Sequence, residues 1–169
     1  MREVIAHKHS RHDKTLSEIL ELIRSSFSYM DTRIDPPSSM HRLTHSDIAD
    51  KCDSGEIWSI GNPIQACVFL TEKEDTLHLS KLAVAVDVQR SGLARRLVNL
   101  AEKRARLCGK KYLELQTRIE LVENHAAFCK LGFEKNGEGA HDGYDRATYI
   151  WMRKQVQDSE GQIVSMKNG

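Results

Sequence analysis

The stretch VAVDVQRSGLARRLVNLAEKRARLCGK, residues Val84 to Lys110, begins as apolar strand text, turns at Gln89-Arg90-Ser91-Gly92 and continues with the apolar spacing of an amphipathic helix. A helix start leaves its first backbone N–H groups unpaired and carries the positive end of the helix dipole, so it is a natural seat for an anion. Three phosphate-binding patterns compete for it. A phosphate loop of the form G-x-x-x-x-G-K-S/T is excluded, because no Lys followed by Ser or Thr comes after Gly92. The dinucleotide fingerprint G-x-G-x-x-G is absent too. What remains is Q/R-x-x-G-x-G/A, matched by Gln89-Arg90-Ser91-Gly92-Leu93-Ala94 directly after the strand text LHLSKLAVAV.

Upstream of that turn, Ile57–Ile60, Ile64–Thr71 and Leu77–Val86 read as consecutive strands. Gly61-Asn62-Pro63 and Glu72–Asp75 are turns of hairpin length, which predicts an antiparallel meander. Downstream, a helix from Gly92 to Cys108 places Leu93, Leu97, Leu100 and Leu107 for burial and stops at Gly109. Lys111–Gln116 is a new strand, so strand, helix and strand form a βαβ crossover. Glu123–Leu131 is a short helix ended by Gly132. Phe133 onward and Thr148–Met152 are the last two strands, joined by NGEGAHDGYDRA.

Near the start, Arg2–His7 reads as a strand, and Thr15 with Glu18 forms a capping box for a helix carrying Leu16, Ile19, Leu20 and Ile23 on one stripe up to about Phe27. Ser28–Leu43, with Pro36-Pro37, has no clean period and is expected as an ordered loop or a substrate-side excursion rather than a core element. Thr44 and Asp47 cap a short helix closed by Gly55. The fold class is α+β: one domain over residues 1–154, then a polar tail from Gln155 to Gly169.

Composition narrows the function. The chain has 169 residues and a formal charge of +1, so no global basic field marks a nucleic-acid binder. The opening MREVIAHKHS is too polar for a signal peptide, and no apolar run approaches the roughly 20 residues of a membrane span. A cytoplasmic protein without nucleic-acid or membrane partners is expected. Cys52, Cys67, Cys108 and Cys129 are scattered without metal-binding spacing, so reduced structural thiols are expected. His7, His9 and His12 crowd the N-terminus without acidic or thiol partners at fixed spacing, and no metal is expected.

The order of these segments resembles the GNAT acetyltransferase superfamily: a strand with KLAV, the Gln89–Ala94 motif, a long helix, the strand YLELQT, then ENHAAFCKLGF. The resemblance implies a mixed, mostly antiparallel, splayed sheet flanked by helices, with acetyl-CoA as cosubstrate. Pantetheine would pair like an extra strand with the backbone of Leu82, Ala83 and Val84, and the pyrophosphate would meet the amides of Gln89, Arg90, Ser91, Gly92, Leu93 and Ala94. Arg90 and Arg95 add charge there, or are solvated surface arginines. Asn124 matches the late-helix asparagine that bonds the cofactor arm, or is a helix N-cap. Phe128 stands where many members have a tyrosine that protonates the departing thiolate. It can pack against the cofactor but cannot donate a proton. Cys129 beside it has no matched base, which disfavours an acyl-enzyme.

The implied reaction is acetyl transfer from acetyl-CoA to a primary amine by direct attack in a ternary complex; the alternative is a non-catalytic acyl-CoA-binding or sensor module. Alternation puts His78, Ser80, Leu82 and Val84 on one face of their strand. His78 falls where histone-acetylating relatives carry a glutamate base, and is the candidate base; Tyr144 is the candidate acid. Ser28–Leu43, the strand residues His78 and Ser80 and the loop with His141 and Tyr144 would line the acceptor. Asp31 and Asp35 would favour a cationic substrate. Homodimers are frequent among similar proteins, so a second copy is a candidate partner.

Overall fold

The computed structural model describes residues 5–157. Its strands are β1 (Ala6–Lys8), β2 (Glu56–Ile60), β3 (Ala66–Glu72), β4 (Thr76–Val84), β5 (Tyr112–Arg118), β6 (Glu134–Gly139) and β7 (Tyr149–Gln155). Its helices are α1 (Leu16–Phe27), α2 (His45–Ser54), α3 (Leu93–Leu107) and α4 (Val122–Lys130). The seven strands form one open mixed sheet in the order β1-β2-β3-β4-β5-β7-β6. Every pairing is antiparallel except β4 with β5, which the α3 crossover makes parallel.

Each face of the sheet buries its own apolar set. On one side α3 delivers Leu93, Leu97, Val98, Ala101 and Ala105 onto β3, β4, β5 and β7. On the other, α1 and α2 deliver Leu16, Ile19, Leu20, Ile23 and Ile48 onto Ile57, Cys67, Phe69 and Ala83. Leu107 departs from the expected stripe: at the last helical position it is 76% exposed.

Helix ends are fixed by different means. The capping box of α2 forms as expected at Thr44 and Asp47, and Gly55 ends it where a Cβ would lie 2.4 Å from the Leu70 carbonyl oxygen. The box expected at α1 does not form. The Thr15 hydroxyl lies 3.2 Å from His9 Nδ1, and the Glu18 carboxylate accepts the Ile64 N–H at 2.8 Å, tying the helix to the β2–β3 turn instead. The expected tail begins too early, since Gln155 ends β7 and the Val156 and Gln157 amides bond Lys111 and Glu102. Residues 1–4 of the expected first strand and 158–169 of the tail lie outside the described residues.

The sheet parts in its middle. β4 and β5 align only from Thr76 with Tyr112 to Leu79 with Leu115. Two residues beyond, Lys81 takes a left-handed φ of 52° and the β3–β4 register shifts between Cys67 and Phe69. This is a bulge. Ser80 aligns with Phe69 and Ala83 with Cys67, so two residues three apart share the α1–α2 face. Leu82 and Val84 pack on the α3 side. The expected alternation therefore fails: His78 and Ser80 face opposite to Leu82 and Val84.

The core accounts for stability in a position-specific way. Leu97→Ala should lower the unfolding free energy by about 2–5 kcal/mol, and Leu107→Ala by no more than about 0.5 kcal/mol. Urea unfolding of both variants checks the pair; equal losses would contradict this packing.

Candidate active site

Beyond Leu79 and Leu115 the two parallel strands leave a gap with Ser80–Val84 on one lip and Gln116–Arg118 on the other. The Ala85 N–H donates to the Gln65 carbonyl at 2.8 Å, so alternation turns the Ala83 amide toward β3 as well and points the Val84 N–H into the gap. Ala83 is therefore taken up by β3 and is 1% exposed, against the expectation that its backbone is free. The Val84 carbonyl accepts from Ser26 Oγ at 3.1 Å and Gln89 Nε2 at 3.4 Å.

The chain then turns through Val86–Val88 and enters α3. Arg90 and Gly92 are both left-handed, with φ of 66° and 88°. Ser91 Oγ donates to the Val88 carbonyl and fixes the turn. No side chain caps α3, leaving the amides of its first turn available, and an ideal Cβ on Gly92 meets no atom within 4 Å. An uncapped helix start beneath open space, beside a strand with a free amide, fits an anion carried on an extended polar arm. Leu93 is buried beneath this turn, while Arg95 Nη2 donates to the Lys130 carbonyl at 3.5 Å and ties α3 to α4.

In α4, Asn124 lies inside the helix, whose N-cap is Leu121, and its Nδ2 donates to Tyr29 Oη at 3.2 Å. The N-cap reading is thereby excluded. Phe128 meets Phe133 edge to face at 5.9 Å and packs against the α3-side core. Cys129 is exposed rather than buried; the buried thiol is Cys67, pushed up to about 12 by desolvation.

On the α1–α2 face of the gap stand the expected acceptor residues. His78 meets Trp151 edge to face at 6.0 Å, and its Nδ1 is buried without a hydrogen bond, 3.7 Å from a Glu114 oxygen. Burial lowers its pKa, Lys73 adds to that, and Glu114 opposes it. His141 bonds Thr148 Oγ1 and is lowered by burial and Arg118. Asp31 is paired with His41 at 2.7 Å. Asp35 joins three segments. Its carboxylate accepts from Tyr144 Oη and from Arg146 at 3.2 Å, while its N–H donates to Glu120. The Asp35 bond raises the Tyr144 pKa, so that phenol stays protonated.

The structure thus gathers His78, Ser80 and the Asp35–Tyr144 pair on one face and Leu82, Val84 and the Gln89–Arg95 turn toward the other. Sequence reading missed Arg118, Glu120 and Lys81. Arg118 ends a strand beside a parallel neighbour, the general location of ligand crevices in such sheets, and that was the available signal.

A sequence model of the Acetyltransferase (GNAT) family matches residues 16–133. The chain belongs to this family. No curated protein sequence matches it. Among solved structures, the PaiA N-acetyltransferase from Thermoplasma acidophilum, in complex with coenzyme A, aligns with TM-score 0.75 at 14% identity over 91% of this chain and 99% of that one. The ribosomal-protein-S18-alanine N-acetyltransferase from Escherichia coli gives 0.64 at 18% over 92% and 96%. An aminoglycoside 6'-acetyltransferase type Ii gives 0.70 at 17% over 92% and 99%. They establish a shared GNAT fold, and the family supports acyl-CoA acetyl transfer. No helix of the described residues is long and apolar enough to cross a membrane.

Because burial disfavours protonated His78, the folded chain binds fewer protons there than the unfolded chain. Its contribution is neutral above the ordinary histidine range and destabilising as pH falls below about 6.5. His78→Gln should make stability fall less steeply from neutral pH to about pH 5.5, read from urea midpoints. An unchanged slope would contradict the burial argument.

Proposed function

We propose that this GNAT protein is an N-acetyltransferase that moves acetyl from acetyl-CoA to a primary amine by direct attack in a ternary complex. The observation that carries the reading is the gap between β4 and β5, with the Val84 N–H turned into it and the uncapped start of α3 at its end. Gln89–Ala94 would hold the pyrophosphate, and Arg90 would add charge to that seat.

The amine nitrogen attacks the thioester carbonyl carbon; the N–C bond forms, the C–S bond breaks, and the sulfur leaves with the bonding pair. The attacking nitrogen loses a proton and the thiolate gains one. His78 suits the first task, directly or through water, because burial favours its neutral form and its Nδ1 has no hydrogen bond, only a Glu114 oxygen at 3.7 Å. Tyr144 is the candidate for the second: its phenol is protonated but donates to Asp35, so it must turn from that bond to reach the sulfur. The Val84 N–H is the donor for the carbonyl oxygen as it gains charge.

Phe128 favours one other reading, a module that binds acyl-CoA without turnover, since it occupies the tyrosine position with a ring that packs against the core and carries no proton to give. Release of free thiol from acetyl-CoA upon adding amines separates the two: sustained release supports the enzyme, and binding without release supports the module.

Gly92→Glu places a carboxylate in the open space above the helix start. It should abolish coenzyme A binding in calorimetry at a stability cost of about 1–2 kcal/mol from the left-handed backbone. Unchanged affinity in the folded variant would refute the site. His78→Ala should lower turnover at least about tenfold at neutral pH, with part of it recovered at higher pH as the free amine becomes more abundant. An unchanged rate and pH profile would remove His78 from the mechanism.

A further inference from the structure

Among the described residues, four buried side-chain polar atoms have no hydrogen-bond partner: His78 Nδ1, Arg118 Nη1, Glu120 Oε1 and Arg153 Nε. Such atoms are rare in folded proteins, and each asks what completes it. They cluster. His78 aligns with Glu114 and Glu114 with Arg153 across adjacent strands, on the face toward α1 and α2. Arg118 lies on that same face four residues along from Glu114, and Glu120 follows two residues later.

The Arg118 end of the cluster stands at the gap. Arg118 Nη2 donates to the Pro37 carbonyl at 3.1 Å, and Nη1 is left over. Across the gap stands Lys81, half-buried at the bulge, with no ion pair among the described residues. The two cations feel each other: Lys81 is lowered by desolvation first and by Arg118 second. Burial lowers Arg118 while Glu120 and Asp35 oppose that from nearby, yet neither carboxylate hydrogen-bonds it. Asp35 is taken by Tyr144 and Arg146, and Glu120 binds the Asp35 amide through Oε2. Two half-buried cations on facing lips of the gap, neither hydrogen-bonded to a carboxylate and one with a buried N–H left over, form a site that a ligand's carboxylate can complete.

The phosphates of coenzyme A are a poor candidate for that anion. Their seat is at the α3 start, on the other side of the sheet, whereas Arg118 reaches the loop between α1 and α2. We propose, resting on the acetyl-transfer reading above, that the acceptor is a primary amine carrying a free carboxylate, with Arg118 and Lys81 clasping the carboxylate at the gap. Arg118 presents its unused N–H groups as a fork to one carboxylate, a geometry that lysine alone does not supply. The free Oε1 of Glu120 is left to accept an N–H of the amine. The wall beside it is aromatic, since Tyr149 aligns with Arg118 and Trp151 with Gln116. The acceptor class is thus the free amino acid and its close analogues, and the cationic preference expected from Asp31 and Asp35 gives way because both are already paired.

The test uses matched sets: phenylalanine, leucine and methionine, each beside its amide and beside the amine left when the carboxylate is removed. Affinity for the chain saturated with coenzyme A is measured by calorimetry, and thiol release from acetyl-CoA is measured in parallel. The carboxylate-bearing member should bind at least about tenfold more tightly than its two partners, the scale of a charge-assisted hydrogen bond. Arg118→Met should erase that preference without changing coenzyme A affinity, and Arg118→Lys should keep part of it. Lys81→Asn, whose asparagine tolerates the left-handed backbone, should reduce it, and decides the matter if Arg118→Met does not fold. Equal affinity within each set would overturn the proposal. So would an Arg118→Met variant that loses coenzyme A affinity and keeps the preference. A preference in binding with no thiol release would uphold the carboxylate site at Arg118 and Lys81 and overturn the transferase reading.

Discussion

The bulge at Lys81 is the constraint on which the rest depends. Parallel strands left alone stay paired along their shared length, and here the pairing ends after Leu79 and Leu115. A left-handed residue, with one extra position on β4, shifts the register against β3 and swings the remainder of β4 away from β5. A paired strand end would have consumed the Val84 N–H in the ladder. The parted one leaves that amide facing open space a few residues before α3 begins.

Holding a sheet open in its middle requires that both halves be anchored elsewhere. α1 and α2 cover one face of β2, β3 and β4, and α3 spans the other face, packing residues of β3, β4, β5 and β7 into one core. An ion pair reinforces this frame: both Glu56 oxygens accept from Arg104 at 2.8 Å, fastening α3 to β2 near the sheet edge. The gap is thus a feature of a rigid frame, not a loosely packed seam. Across it, Asp35 bridges the loop between α1 and α2 to the loop between β6 and β7 through Tyr144 and Arg146, closing one end of the face toward α1 and α2. The α3 start and the Asp35–Tyr144 pair lie on opposite faces of the sheet, and the opening connects them.

Much of this was legible in the sequence because it rests on local signals. Thr44 and Asp47 announced α2, Gly109 and Gly132 closed the two late helices, and Gln89–Ala94 marked the turn into α3. What escaped depends on distant partners. The Thr15 and Glu18 pair had the text of a capping box, yet Glu18 found a better donor in Ile64, far along the chain. Leu107 fits the helical stripe, but α3 outruns the sheet beneath it. A strand of alternating text gives no sign of a single extra residue, so the two faces of β4 were merged. Asp35 looked like a free carboxylate in its loop until Arg146, more than a hundred residues on, arrived beside it.

The central claim is that the parted strand and the α3 start together receive coenzyme A. Amide hydrogen exchange with and without coenzyme A tests it residue by residue. The account predicts that Val84 and Leu93 to Arg95 gain protection on binding, while Ala83 and Ala85, whose amides are turned to β3, are protected beforehand and change little. Protection that appears elsewhere, or a Val84 amide already slow in the free protein, would contradict it.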